Sequence, residues 1–181
     1  MDESDRRRDL RLLAEGRDAV FEAVRDLSEE DAARSPGEGR WSVLECLEHI
    51  CVSEDNFYEA LLTRIPRVEE PGRRDREEEI IQGAPLRQER ITAPERLRPT
   101  GRFASLADAV EHFSRSRART IEYVERCDRD LRLYRAKHPT FGEITGEEFL
   151  IIIALHPARH ANQILETREA LRPSSANKRG A

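Results

Sequence analysis

The run Phe149-Leu150-Ile151-Ile152-Ile153-Ala154-Leu155 constrains this chain more than any other feature. It follows Thr145 and Glu148, spaced as in a capping box, where hydroxyl and carboxylate satisfy the free amides of a helix start. A helix apolar on all sides has no face to give to water, so it must be packed by other elements all round. Three more segments supply that packing. Leu10, Leu13, Val20, Val24 and Leu27 return to one side of a helix over 4–27. Ser42 with Glu45 starts a second helix, whose stripe Leu47, Ile50, Cys51, Tyr58, Leu61 and Ile65 ends at Pro66. Ser105 with Asp108 starts a third, carrying Leu106, Val110, Phe113, Ile121 and Val124 to about 129. The fourth runs to 171.

These are the parts of an all-α protein, a four-helix bundle with a long crossover between helices two and three. The 181 residues make one domain, 1–171, followed by a polar tail, 172–181, expected to be disordered. Between helices one and two, 28–40 reads as a loop with one short turn. The crossover, 66–104, carries five prolines, with Ile80 and Ile81 as candidate anchors. A second irregular stretch holds His138-Pro139 and Gly142, and no segment shows the alternation of a strand.

Apolar residues make up 38% and charged residues 37%, with a net charge of −5. A chain with no excess of Lys and Arg is poorly suited to phosphate backbones, so no nucleic-acid partner is expected, and a small-molecule substrate is. No run reaches the roughly 18 apolar residues of a membrane span and the start resembles no secretory signal, so a cytoplasmic location with no membrane association is expected. Three cysteines, Cys46, Cys51 and Cys127, fit reduced thiols. Only Lys137 and Lys178 among 31 basic residues are Lys; the arginine runs, interspersed with acids, read as a solvated surface.

Chemistry concentrates on the histidines. His156 and His160 stand four apart on the fourth helix, about 40° apart around its axis, which is metal-ligand spacing. His49 lies in an apolar run of the second helix, where a lone imidazole needs a polar partner. Three neutral imidazoles with one open position suit a catalytic divalent metal, zinc or nickel foremost. The segment His156-Pro157-Ala158-Arg159-His160 lacks the Glu of HExxH metalloproteases, and no Glu stands three residues before a His as in di-iron bundles. Glu45, one turn before His49, is the candidate base or a hydrogen-bond acceptor for a ligand. Asn56 and Ser53 are placed to line a cavity, Arg159 and Gln163 to hold a substrate or cofactor. Cys46 is a weaker candidate ligand, Trp41 a hydrophobic staple, His112 bland and His138 a loop anchor.

Trp41-Ser42-Val43-Leu44-Glu45 with His49, Pro99-Thr100-Gly101, His138-Pro139 with Gly142, and His156 with Arg159-His160 and Gln163-Ile164 together resemble the DinB-like (damage-inducible) family over about 10–170. The resemblance implies a commonly homodimeric bundle that binds a divalent metal through His49, His156 and His160. Relatives include transferases using a low-molecular-weight thiol, so it implies a thiol S-transferase acting on a small electrophile. A metal-dependent hydrolase and a non-catalytic metal-binding or interaction protein stay open as alternatives. Pro157 departs from the family pattern: it removes a helical hydrogen bond to residue 153, and the expectation is a kink that aims His156.

Overall fold

The structure, a computed structural model, describes residues 1–86 and 92–172. The expected tail lies almost wholly outside the described residues. Four long helices form the bundle: α1 (Glu3–Val24), α3 (Val43–Glu59), α5 (Leu106–Arg126) and α6 (Gly146–Leu171). Helix α6 packs on α1 and α3, and α5 packs on the same two. Each start follows its cap. Ser42 and Thr145 form full capping boxes with Glu45 and Glu148, and the Ser105 hydroxyl accepts the Asp108 N–H.

Two apolar clusters fill the interior. One gathers Leu13, Val124, Leu131 and the apolar run of α6; the other gathers Val20, Val43, Leu47, Ile50, Phe113 and Ile164. Between them in sequence, on three helices, lie Gly16, Glu54 and Arg117. A Cβ on Gly16 would come within 2.3 Å of the Ala154 carbonyl oxygen, so α1 approaches α6 there as only glycine permits.

The connections hold more structure than the sequence shows. Residues 28–40 contain α2 (Glu29–Ala33), capped by the Ser28 hydroxyl on the Asp31 N–H. Helix α3 ends in a π-helical turn, Ala60–Arg64, closed by Ile65 N–H on the Ala60 carbonyl at 3.0 Å. The crossover contains α4 (Glu77–Gly83), whose Ile80 is fully buried, and a short 3₁₀ turn, Glu95–Leu97.

The expectation of no strands is corrected by an antiparallel hairpin, β1 (Arg135–His138) and β2 (Gly142–Thr145). Four-residue strands are too short to show period-2 patterning, and β2 buries both Ile144 and Thr145. Its turn is built by His138, whose Nδ1 accepts the N–H groups of Thr140 and Phe141 at 3.2 and 3.3 Å, and by Gly142 at φ 71°. No described helix is long and apolar enough to cross a membrane.

Candidate metal centre

His49 projects from α3, and His156 and His160 from successive turns of α6. Their rings converge: centroids lie 4.5 Å apart for His49–His160 and His156–His160, and 5.2 Å for His49–His156. One ring nitrogen from each lies within 4.8 Å of the other two. This is the one group of three or more potential ligand side chains so clustered among the described residues. Cys46 is buried outside it.

Orientation is fixed from behind. His49 Nδ1 lies 2.7 Å from the Leu97 carbonyl oxygen, so that nitrogen carries the proton and Nε2 is free to ligate. His160 Nδ1 lies 2.9 Å from Gln163 Oε1, which fixes that ring in the same way. Burial lowers the His49 pKa. His156 is held well below the ordinary imidazole range by burial first, then by the neighbouring rings and by the charges of Arg117 and Arg159. Imidazole nitrogens gathered from three histidines are the donor set that zinc, nickel and other borderline divalent ions take. The residues therefore fit such an ion.

The partner of His49 belongs to the crossover, and that crossover is clasped by Glu48. The Glu48 carboxylate, nearly fully buried, accepts the N–H groups of Thr100, Gly101 and Arg102 at 2.6, 3.0 and 3.1 Å. Gly101, at φ 78°, gives the turn its left-handed residue. Glu48 was missed in the sequence. The Pro99-Thr100-Gly101 turn was the available signal, since its free amides need an acceptor.

Pro157 does not interrupt α6, which runs unbroken from Gly146 to Leu171. The carbonyl it leaves without a helical donor, that of Ile153, accepts from Arg117 Nη2 at 3.2 Å. Arg117 is fully buried, bonds Glu54 Oε2 at 2.9 Å, and reaches the Leu13 carbonyl at 3.5 Å. Thr120 completes the network by donating to Glu54 Oε1 at 2.8 Å. A side chain on α5 thus replaces the missing hydrogen bond one turn before His156.

The triad opens on a cavity of about 1140 Å³. Trp41 stands against His49 at 5.0 Å and Phe57 edge-on to His156 at 5.2 Å, so Trp41 is a wall of the site as well as the residue at the helix entry. Asn56, Arg159 and Gln163 line the cavity, as does His138. Ser53 is buried outside the cavity lining. Glu45 is outside it too: its Oε2 accepts the Ser42 N–H at 2.7 Å, leaving it as a cap. His112 pairs with Asp55 at 2.8 Å, away from the triad.

The model of the DinB superfamily matches residues 12–164. The chain belongs to the DinB superfamily. Within reach of this DinB-like chain is YuaE of Bacillus subtilis (strain 168), named as an uncharacterized protein, 23% identical over 160 residues that span 88% of this chain and 97% of YuaE. Among solved structures, YfiT from Bacillus subtilis superposes with a TM-score of 0.57 at 16% identity, covering 93% of this chain and 89% of that one. YfiT is described as a probable metal-dependent hydrolase with an unusual four-helix bundle topology. At that identity the likeness shows the four-helix bundle fold alone.

Proposed function

We propose that the protein is a metal-dependent transferase that joins a small thiol to an electrophilic substrate in the cavity beside His49, His156 and His160. The observation carrying this reading is the composition of the cavity around the triad. It is roomy, walled beside the histidines by Trp41 and Phe57, and its carboxylates among the described residues are Glu143, tied to Arg135 at 3.7 Å, and Glu166, exposed on α6. Glu45 is held at its cap. A divalent cation held by the triad would supply Lewis acidity that lowers a thiol's pKa enough for solvent water to take its proton, whereas hydrolysis gains from a base beside the attacking water. The protein's own contribution is positional. Leu97 and Gln163 hold two imidazoles, Trp41 and Phe57 wall the cavity beside them, and Asn56 and Arg159 line it.

A closed structural zinc site normally has four protein ligands, so three nitrogens facing a cavity support a catalytic centre over a purely structural one. The second reading is a hydrolase, favoured by the description of YfiT. The zinc- or nickel-loaded full chain should consume a low-molecular-weight thiol with 1-chloro-2,4-dinitrobenzene, and His49→Ala should lower that rate at least 100-fold. Metal-dependent release from 4-nitrophenyl acetate without thiol, with no conjugation, would replace the transferase by the hydrolase.

A further inference from the structure

We infer that the ligand of this cavity carries an oxyanion, a carboxylate or phosphate, received by Arg40, Arg96 and Lys137; the inference rests on reading the cavity as the substrate site. In this acidic chain arginines are generally neutralised by carboxylates close by. Arg11 pairs with Glu15, Arg115 with Glu111, Arg126 with Glu122 and Arg172 with Glu169, and even buried Arg117 has Glu54. Among the described residues, most of the exceptions gather at the cavity. Arg40, Arg64, Arg96, Arg98 and Lys137 line it, and none has a described carboxylate oxygen within 4.0 Å.

Two of these are partly used by the fold: Arg64 bonds the Asn56 carbonyl, and Arg98 the Ala93 carbonyl at 3.1 Å. Arg40, Arg96 and Lys137 have no such side-chain bond among the described residues. They come from three separate elements: the segment before α3, the 3₁₀ turn of the crossover, and β1. Only the fold brings them to one cavity. Like charges gathered without counter-charges repel, and a chain of net charge −5 has acids to spare for them. Apolar walls beside them focus the field into the cavity, where it raises the local concentration of anions. Arginine offers a planar fork for an oxyanion and lysine a compact charge, so the set suits carboxylate and phosphate alike.

Trp41, the single tryptophan of the chain, stands on the cavity wall and reports binding by its fluorescence. The full chain, both metal-loaded and metal-stripped, is titrated with benzoate, phenyl phosphate and benzamide, the neutral twin of benzoate. At least one anion should bind tenfold or more tightly than benzamide in both states, and the tighter anion names the group. Lys137→Glu and Arg96→Glu, both at exposed positions, should each weaken it at least fivefold, and Arg126→Glu, the same charge change outside the cavity, less than twofold. Benzamide binding as well as the anions, an equal loss in Arg126→Glu, or binding that vanishes with the metal would overturn the inference. Failure of thiol transfer with this pattern intact would remove the proposed function alone.

Discussion

A proline inside a helix usually costs about 3 kcal/mol, because a carbonyl loses its donor and the ring crowds the preceding turn. At Pro157 half of that problem is met from another helix, since Arg117 donates to the Ile153 carbonyl. The two residues are therefore coupled, and a double-mutant cycle on metal-free protein tests it. Arg117→Met strands buried Glu54 and should cost about 3–5 kcal/mol. In a Pro157→Ala background, where residue 157 donates to Ile153 again, the same change should cost about 1 kcal/mol less. Strict additivity in denaturant unfolding would mean that Arg117 does not stand in for the missing bond. The lost bond to residue 153 was legible in the sequence; its replacement by Arg117 was not. The spacing of His156 and His160 gave their common face, but a donor on α5 has no signature near Pro157.

The crossover is placed by two carboxylate devices, each acting on one of its elements. At one end Glu48 clasps Thr100–Arg102 and so sets Leu97 against His49. Glu48→Gln, which keeps the volume but loses the charge, should weaken metal affinity about 10- to 100-fold in chelator competition, in the range seen for partners behind metal ligands. Unchanged affinity would show that His49 keeps its orientation without the clasp. At the other end α4 is docked through a cluster in which Asp9 and Asp5 of α1 and Glu147 of α6 meet Arg8, Arg74 and Glu77. Asp9 is fully buried, and burial, opposed by its bond to Arg8, raises its pKa to about 6. The native state therefore holds a proton that the unfolded chain releases near 3.8. The stabilising contribution is complete below about pH 3.8 and is lost as pH rises through 6. Relative to Asp9→Asn, the wild type should lose up to about 3 kcal/mol between pH 4 and pH 7. A pH-independent difference between the two would contradict the raised pKa.

At the scale of the whole molecule, the sequence carried the bundle because helix starts are local chemistry: a hydroxyl, an acid three residues later, then an apolar stripe. Its failures were of two kinds. The hairpin's four-residue strands are too short to show alternation, and the cavity depends on Arg40, Arg96 and Lys137 meeting from distant segments. The histidine triad lay between these cases, half written in the i, i+4 pair of α6 and half supplied by His49 in an apolar run. The homodimer is proposed from the family resemblance alone. Sedimentation at micromolar concentration should give about twice 20.9 kDa, and a single 20.9 kDa species would remove it. The central claim is that His49, His156 and His160 together bind one divalent ion, and elemental analysis after dialysis against a weak chelator tests it most directly. The account predicts about one equivalent of metal per chain in the wild type and almost none in His156→Ala/His160→Ala. Full retention of metal by that double variant, folded by circular dichroism, would contradict it.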